Sequence, residues 1–187
     1  MASVPPQLKP DARILTARAG WRYRGDRRPE FALAADPGQE SVWDYPRPPL
    51  LIADARRVVV RHGERVLADS VGAFRVLETA SPPTFYLPPA DVRLELLVES
   101  GRRSHCEWKG EALDLDLVQG PTSVAWVYRR TYAEFLPIAG WVAFYPSRVD
   151  CLVGGERVRP QPGGYYGGWI TDEIVGPVKG EPGVEGL

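Results

Sequence analysis

The feature that most constrains the fold is a series of short segments in which apolar and polar residues alternate, separated by glycine turns. Residues 112–118, Ala-Leu-Asp-Leu-Asp-Leu-Val, alternate strictly, which places the leucines on one face of an extended segment and the aspartates on the other. Two dipeptides, His62-Gly63 and Gly154-Gly155, each separate two short apolar segments. This pattern predicts antiparallel strands joined by tight hairpins.

Other segments have the composition of strands or, in one place, of a helix. β-Branched and aromatic residues dominate Val124–Tyr128 and Trp141–Tyr145, as is typical of strands. Pro89 and Asp91 stand where a helix would begin, and apolar residues at helical spacing follow, so we expect one short helix near residues 89–98. The fold class predicted is therefore mainly β, a closed or coiled antiparallel domain with one short helix.

Proline and glycine content predicts the boundaries of this domain. Residues 1–40 are rich in Pro, Arg and Ala and are predicted to form an N-terminal extension, in which 11–21 could be a short helix. Residues 41–171 are predicted to be a single mainly β domain, large enough for a core without disulfides or metal. Residues 172–187 are predicted to be an irregular tail packed on or near the domain.

Charge and cysteine content bear on partners and location. The net charge is −1 and acids flank most arginine clusters, so no nucleic-acid partner is expected. No apolar run approaches the ~18 residues that span a bilayer, and the N-terminus lacks the apolar segment of a secretory signal. We expect a cytoplasmic protein with no membrane partner, in which Cys106 and Cys151 are reduced thiols. No metal site and no cofactor are predicted. The sequence is compatible with either a monomer or a homo-oligomer.

Lysine is rare in this chain. Only Lys9, Lys109 and Lys179 occur among 23 basic residues, and Lys109 lies between Trp108 and Gly110. An ammonium is a compact charge whose pKa shifts readily on burial, a property that arginine does not share. Lys109 is therefore a candidate site residue.

Two further ionisable residues flank a proline-rich loop. Glu78 ends a predicted strand just before this loop, and Tyr86 lies at its far end. With Lys109 they would give a carboxylate, a phenol and an ammonium in one pocket, able to hold a polar small molecule or to transfer protons. If the pocket is catalytic, Glu78 would be the acid–base group and Lys109 would stabilise a developing anion. The alternative is a structural salt bridge between Glu78 and Lys109.

Aromatic residues are predicted to form the walls of this pocket. Trp108, Trp126 and Tyr128 lie on adjacent segments and could stack on a ligand ring, although core packing is the alternative. Cys106 could be a nucleophile if Lys109 or His105 lowered its pKa. A lone cysteine on a strand is more often a small core residue, which disfavours that role.

Two other motifs receive structural interpretations. Asp114 and Asp116 share one strand face, a geometry that holds Mg²⁺ in nucleotidyl transfer, but the surrounding alternation explains them as a solvated edge. The run Gly163–Gly168 lacks both the residue order and the following helix of a phosphate-binding loop. It is predicted to be a chain-reversing loop.

Several motifs together resemble a known family. They are Val42-Trp-Asp-Tyr-Pro-Arg-Pro-Pro49, Leu77-Glu78-Thr-x-x-Pro-Pro-Thr-x-Tyr86-x-Pro88, Cys106-x-Trp-Lys-Gly110, Ala125-Trp126-x-Tyr128 and Ala143-Phe-Tyr145. Over about residues 40–170 the chain resembles the bacterial family named domain of unknown function 427, and its tail resembles the longer members. The resemblance implies a compact β domain similar to coiled-sheet "β-tent" or barrel-like architectures. It implies no particular activity.

The leading functional hypothesis is a small-molecule-binding domain or enzyme with a polar and aromatic pocket. The first alternative is a non-catalytic protein-interaction module that uses Tyr45–Pro49 and the glycine-rich tail. The second alternative is metal-dependent nucleotidyl transfer at Asp114 and Asp116.

Overall fold

Strands dominate the computed structural model of the protein, which describes residues 7–184. In chain order the strands are β1 Glu40–Ser41, β2 Leu50–Asp54, β3 Val58–His62, β4 Arg65–Ser70, β5 Ala73–Glu78, β6 Ser81–Tyr86, β7 Leu97–Cys106, β8 Gly110–Leu117, β9 Ala125–Thr131, β10 Val142–Phe144, β11 Asp150–Val153, β12 Glu156–Arg157, β13 Arg159–Pro160, β14 Trp169–Ile170 and β15 Ile174–Val175. The prediction of a mainly β fold is confirmed. The predicted extension and tail include residues 1–6 and 185–187, which lie outside the described residues.

Three antiparallel sheets form the body of the domain. The strand orders are β10-β9-β8-β7, β12-β11-β3-β4 and β2-β5-β6. Two small pairs, β13-β14 and the parallel pair β1-β15, complete the architecture. Within the described residues these sheets do not close into a barrel, so the barrel-like expectation does not hold, whereas the antiparallel one does.

The strict alternation in β8 has the predicted effect. Leu113, Leu115 and Leu117 are buried in the main core, where they meet residues of the second four-stranded sheet such as Val58 and Val60. Packing these inner faces together removes apolar surface from water, which stabilises the fold. The opposite face of β8 is left to form the cavity described below.

The hairpins follow the glycine signals closely. Gly154-Gly155 joins β11 to β12, with Val153 paired to Glu156 across the turn. The turn between β3 and β4 begins at Gly63, one residue later than predicted, because His62 still pairs with Arg65.

The helix predicted near residues 89–98 is wrong. Two separate 3-10 turns, Pro89–Asp91 and Leu94–Leu96, occupy that segment. Between them Val92 adopts an extended conformation and bridges Ala68 of β4. Pairing with a strand distant in sequence therefore overrides the local helix signal.

The single α-helix of the described residues lies in the N-terminal extension. Helix α1 spans Ala12–Ala19, within the predicted segment 11–21, and a third 3-10 turn spans Ala133–Ile138. The Asp11 carboxylate accepts a hydrogen bond from the Ile14 amide at 2.9 Å, which caps the helix. No helix within residues 7–184 is long and apolar enough to cross a membrane.

Both terminal segments pack on the domain. The N-terminal residue Leu8 bridges Tyr132, next to β9. Strand β15 of the tail pairs with β1, and the tail residue Val178 is buried in one cluster with Trp43. The tail therefore packs back onto the domain, and its residue Lys179 lines the cavity described below.

Candidate functional site

A cavity of about 780 Å³ opens between the β5–β6 hairpin, the β7–β8 turn, β9 and the glycine-rich loop. Five of the six residues predicted to share a pocket line it: Glu78, Tyr86, Lys109, Trp126 and Tyr128. Trp108, the sixth, lies outside the cavity wall, buried under the guanidinium of Arg18 at 5.0 Å from the ring centre.

Glu78 lies at the end of β5, where the chain turns into β6. Its register partner is Ser81, so only Thr79 and Ala80 form the turn. Arg47 fixes this turn, because its Nη2 donates to Glu78 Oε1 at 3.1 Å and to the Thr79 carbonyl at 2.9 Å. Arg47 is only 4% exposed and lies 3.7 Å from the ring centre of Trp21. A buried arginine thus holds the carboxylate at the cavity wall.

Lys109 lies in the turn between β7 and β8, not on a strand edge. Its Nζ is 3.2 Å from Glu78 Oε2, so each carboxylate oxygen of Glu78 faces one cation. The next residue, Gly110, has φ +119°, and a Cβ there would lie 2.3 Å from the Arg130 carbonyl oxygen. Only glycine fits this turn, which explains the Lys-Gly sequence.

This pair is ionised at neutral pH. Burial raises the pKa of the Glu78 carboxyl, but the charges of Lys109 and Arg47 outweigh burial and keep that pKa below its ordinary value. Burial lowers the pKa of Lys109, but the acidic groups of Cys106 and Glu78 reverse this and raise it above its ordinary value. Glu78 is therefore suited to act as a counter-ion or a weak base, and not as a proton donor. Lys109 is a cation at neutral pH.

The aromatic wall comes largely from one face of β9. Trp126 and Tyr128 are two residues apart on this strand and so point to the same side. Trp126 Nε1 donates to the Tyr86 hydroxyl at 3.3 Å, and Trp126 lies 4.4 Å from Tyr145 between ring centres. Within residues 7–184 no hydrogen bond is made by the Tyr128 hydroxyl. This hydroxyl is available to a ligand.

The phenols of this wall stay protonated. Burial raises the pKa of Tyr86 to about 12, although the charge of Lys109 acts against this. Burial also raises the pKa of Tyr128 well above its ordinary value. Both phenols therefore keep a hydroxyl proton to donate, although Tyr86 itself is fully buried.

Cys106, the last residue of β7, also lines the cavity. It packs against the aromatic cluster, and it is a free thiol, as is the buried Cys151. The neighbouring His105 also lines the cavity, and its ring bonds to the Tyr132 hydroxyl at 3.0 Å.

Sequence reasoning gave no role to Lys179, which lines the same cavity. Its Nζ lies 4.6 Å from the ring centre of Trp21 and 5.3 Å from that of Tyr166. Burial lowers the pKa of Lys179, Glu78 opposes this effect, Arg47 adds to it, and the pKa lies below its ordinary value. The scarcity of lysine is the sequence signal that could have found it, since two of the three lysines line one cavity.

The backbone next to Lys179 resembles the backbone next to Lys109. It too is followed by a glycine, Gly180, with φ +103°, where a Cβ would lie 2.4 Å from the Pro162 carbonyl oxygen. Its own amide donates to the Ala80 carbonyl at 2.7 Å, beside the turn that carries Glu78. The tail backbone therefore fixes Lys179 beside this turn.

The two aspartates of β8 are held by neighbouring side chains. Arg102 Nη2 lies 2.5 Å from Asp116 Oδ1, and the Ser123 hydroxyl donates to Asp114 Oδ2 at 2.8 Å. In the part of the chain that the structure describes, no group of three or more His, Cys, Asp or Glu side chains is placed to hold a metal ion.

The glycine-rich loop forms one side of the cavity, to which Gly164–Gly168 contribute. Within it Tyr165 is 71% exposed and Tyr166 faces Lys179. The predicted loop structure is confirmed.

Comparison with known proteins identifies a family. The profile of a family described as a domain of unknown function, DUF427, matches residues 50–155. The comparison with curated proteins gives no match. The matched range contains Glu78, Tyr86, Lys109, Trp126 and Tyr128, whereas Lys179 lies outside it. The match spans more than half of the chain, and the protein therefore belongs to the DUF427 family.

Proposed function

We propose that this chain is a bacterial, cytoplasmic small-molecule-binding domain whose ligand occupies the cavity beside Glu78 and Lys109. The observation that carries the proposal is the position of this ion pair, which is largely buried and lies in the wall of a cavity of about 780 Å³. Cavities of roughly 300–1,000 Å³ with apolar walls and a few polar groups are the usual form of small-molecule sites.

The polar groups of the site favour recognition by hydrogen-bond donation. Lys109, Tyr86 and Tyr128 all present donors, and Glu78 offers the acceptor, already shared between two cations. If a reaction takes place here, Lys109 is the residue that would stabilise a developing negative charge. Glu78 would accept a proton only after losing one of its partners.

The interaction-module alternative has less support. One of its two proposed surfaces, Tyr45–Pro49, is mostly inside the protein, since Tyr45 is 5% and Arg47 4% exposed. Tyr45 also bonds to Glu40 through its hydroxyl at 2.6 Å. Little of this segment is left for a partner protein to contact. The other surface, the glycine-rich segment, does expose Tyr165.

A thermal-shift screen with Tyr128→Phe tests the proposal. A panel of anionic, neutral and cationic metabolites is added to the wild type, to Tyr128→Phe and to the control Tyr23→Phe. The Tyr23 hydroxyl likewise makes no hydrogen bond within residues 7–184, and Tyr23 does not line this cavity. Because the Tyr128 hydroxyl has no partner in residues 7–184, its removal should leave the fold intact. We expect a ligand that raises the Tm of the wild type and the control but raises that of Tyr128→Phe less.

Two results would argue against the proposal. Equal stabilisation of all three proteins would place the ligand elsewhere on the molecule. No stabilisation by any compound, with a protein partner that co-purifies, would favour the interaction module.

A further inference from the structure

The charged side chains around the cavity are not balanced. Five cationic residues line it against three acidic ones, although the whole chain has a net charge of −1. The cationic residues are Arg102, Arg103, Lys109, Arg148 and Lys179, and the acidic residues are Glu78, Glu107 and Asp114. An excess of one sign in a cavity with apolar walls concentrates the opposite charge.

All three acidic residues already have partners. Glu78 is held by Lys109 and Arg47, and Glu107 accepts a hydrogen bond from Trp21 Nε1 at 3.0 Å. Asp114 accepts from the Ser123 hydroxyl. The acids of the wall are therefore engaged in holding the cavity together.

Three of the cations, in contrast, make no side-chain hydrogen bond or ion pair within residues 7–184. They are Arg103, Arg148 and Lys179. Arg103 and Arg148 are exposed and so stand at the rim, whereas Lys179 is half-buried between two rings. All charged side chains of the cavity that lack a partner in residues 7–184 are therefore positive. Among them, the Lys179 ammonium is the most buried.

An ammonium withdrawn from water without a carboxylate partner is unfavourable unless another group offsets the lost hydration. The rings of Trp21 and Tyr166 offset part of this loss through cation–π contact. The Lys179 carbonyl accepts from Gln161 Nε2 at 2.8 Å, so the backbone holds the residue in place instead of letting it swing out. A ligand anion would supply the missing partner.

We propose that the ligand is an organic anion with a planar ring, whose carboxylate or phosphate binds Lys179 and whose ring lies against the aromatic wall. The proposal rests on the small-molecule function proposed above and narrows it to one class. Arg103 and Arg148 attract the ligand at the rim, Lys179 binds its head group, and Trp21, Tyr166 and Trp126 contact its ring.

A matched series of compounds tests this class by calorimetry. 2-Naphthoate, 2-naphthyl phosphate, 2-naphthamide and 2-naphthylmethylamine share one ring and differ in charge. We expect both anions to bind about tenfold more tightly than the amide, with the amine weakest. Which anion binds more tightly distinguishes a carboxylate ligand from a phosphate ligand. Binding of the anions should weaken as NaCl is raised from about 0.05 to 0.5 M.

Two lysine variants locate the head group. Lys179→Met should lower the affinity for the anions about tenfold, to that of the amide, and leave binding of the amide unchanged. Lys9→Met is the control, because Lys9 is exposed and does not line the cavity, and it should bind the anions as the wild type does.

Equal binding of amide and anions, or an unchanged preference in Lys179→Met, would overturn the inference. If no naphthyl compound binds but a neutral or cationic metabolite stabilises the wild type in the thermal-shift screen, this inference fails and the proposed function stands. If neither experiment yields a ligand, both fail.

Discussion

Lys109 and Lys179 line the same cavity with the same side chain, but their pKa values are shifted in opposite directions. Each is fixed by a following glycine that no other residue could replace without strain. Lys109 has the buried carboxylate of Glu78 at 3.2 Å, whereas Lys179 has two aromatic rings and no carboxylate partner within residues 7–184. The pKa of Lys109 is accordingly raised and that of Lys179 lowered. The difference shows that the pKa of a lysine depends on its charged partner, and not on burial alone.

The two lysines are therefore expected to have different roles. Lys109 belongs to an ion-pair network that supports the hairpin of β5 and β6, and its removal leaves a carboxylate buried beside Arg47 alone. Lys179 contributes charge to the cavity without stabilising any other group by an ion pair. The first prediction separates these roles by stability, the second by the pH at which the network acts, and the third by direct titration.

The largest expected effect is on stability. Lys109→Met should lower the free energy of unfolding by about 3–5 kcal/mol, because it breaks a buried ion pair and leaves Glu78 half compensated. Lys179→Met should change it by less than about 1 kcal/mol, since only cation–π contacts are lost. Urea denaturation of both variants at pH 7 measures the contrast.

A double variant checks that the first effect comes from the ion pair. Combining Glu78→Gln with Lys109→Met should cost less than the sum of the single changes, because the second change removes the charge that the first left unpaired. Equal losses for Lys109→Met and Lys179→Met would remove the basis for assigning different roles.

The second prediction concerns Glu78→Gln, which should lower stability at pH 7 by about 2–3 kcal/mol. The pKa of Glu78 is lower in the folded protein than its ordinary value of 4.5. Its contribution is therefore fully present above that pH and is lost as the pH falls through the folded-state value. The difference between wild type and variant should be constant from pH 7 to about 5.5 and shrink below pH 4.5.

Urea denaturation between pH 7 and pH 3 measures this difference. Glu64→Gln is the control, because Glu64 is exposed in the β3–β4 turn and forms no ion pair within the described residues. A difference between wild type and Glu78→Gln that grows toward acid pH would contradict the network described above.

The sequence predicted well those features that depend on local period. The alternation of β8 and the glycine turns identified the strands and the buried leucines, because side-chain direction in a strand repeats every two residues. The same period puts Trp126 and Tyr128 on one face. The position of Trp108 could not be predicted in this way, because Trp108 lies in a turn, where side chains do not alternate. It is buried under Arg18.

The remaining features depend on contacts between distant segments. Val92 is extended because it pairs with Ala68, and no local signal near residue 92 reveals this. Arg47 and Lys179 reach the Glu78 turn from 31 and 101 residues away in sequence, so spacing along the chain gives no indication that they meet there. Their motifs were visible in the sequence, but their place in the site needed the tertiary structure.

The third prediction is the smallest in energy and the most direct. Because the chain has only three lysines, ¹³C labelling of lysine gives three Cε resonances whose shifts follow the charge of each amine. Lys179 should titrate below 10.5, the ordinary value for lysine, and Lys109 above it. The spectra of Lys109→Met and Lys179→Met assign the signals.

Perturbing either partner should move these midpoints in predictable directions. In Glu78→Gln the midpoint of Lys109 should fall, because burial then acts without the opposing carboxylate. Saturation with 2-naphthoate should raise the midpoint of Lys179, because a bound anion favours the charged amine. Equal midpoints for Lys109 and Lys179 in the wild type would contradict the different electrostatic environments described for the two ammonium groups.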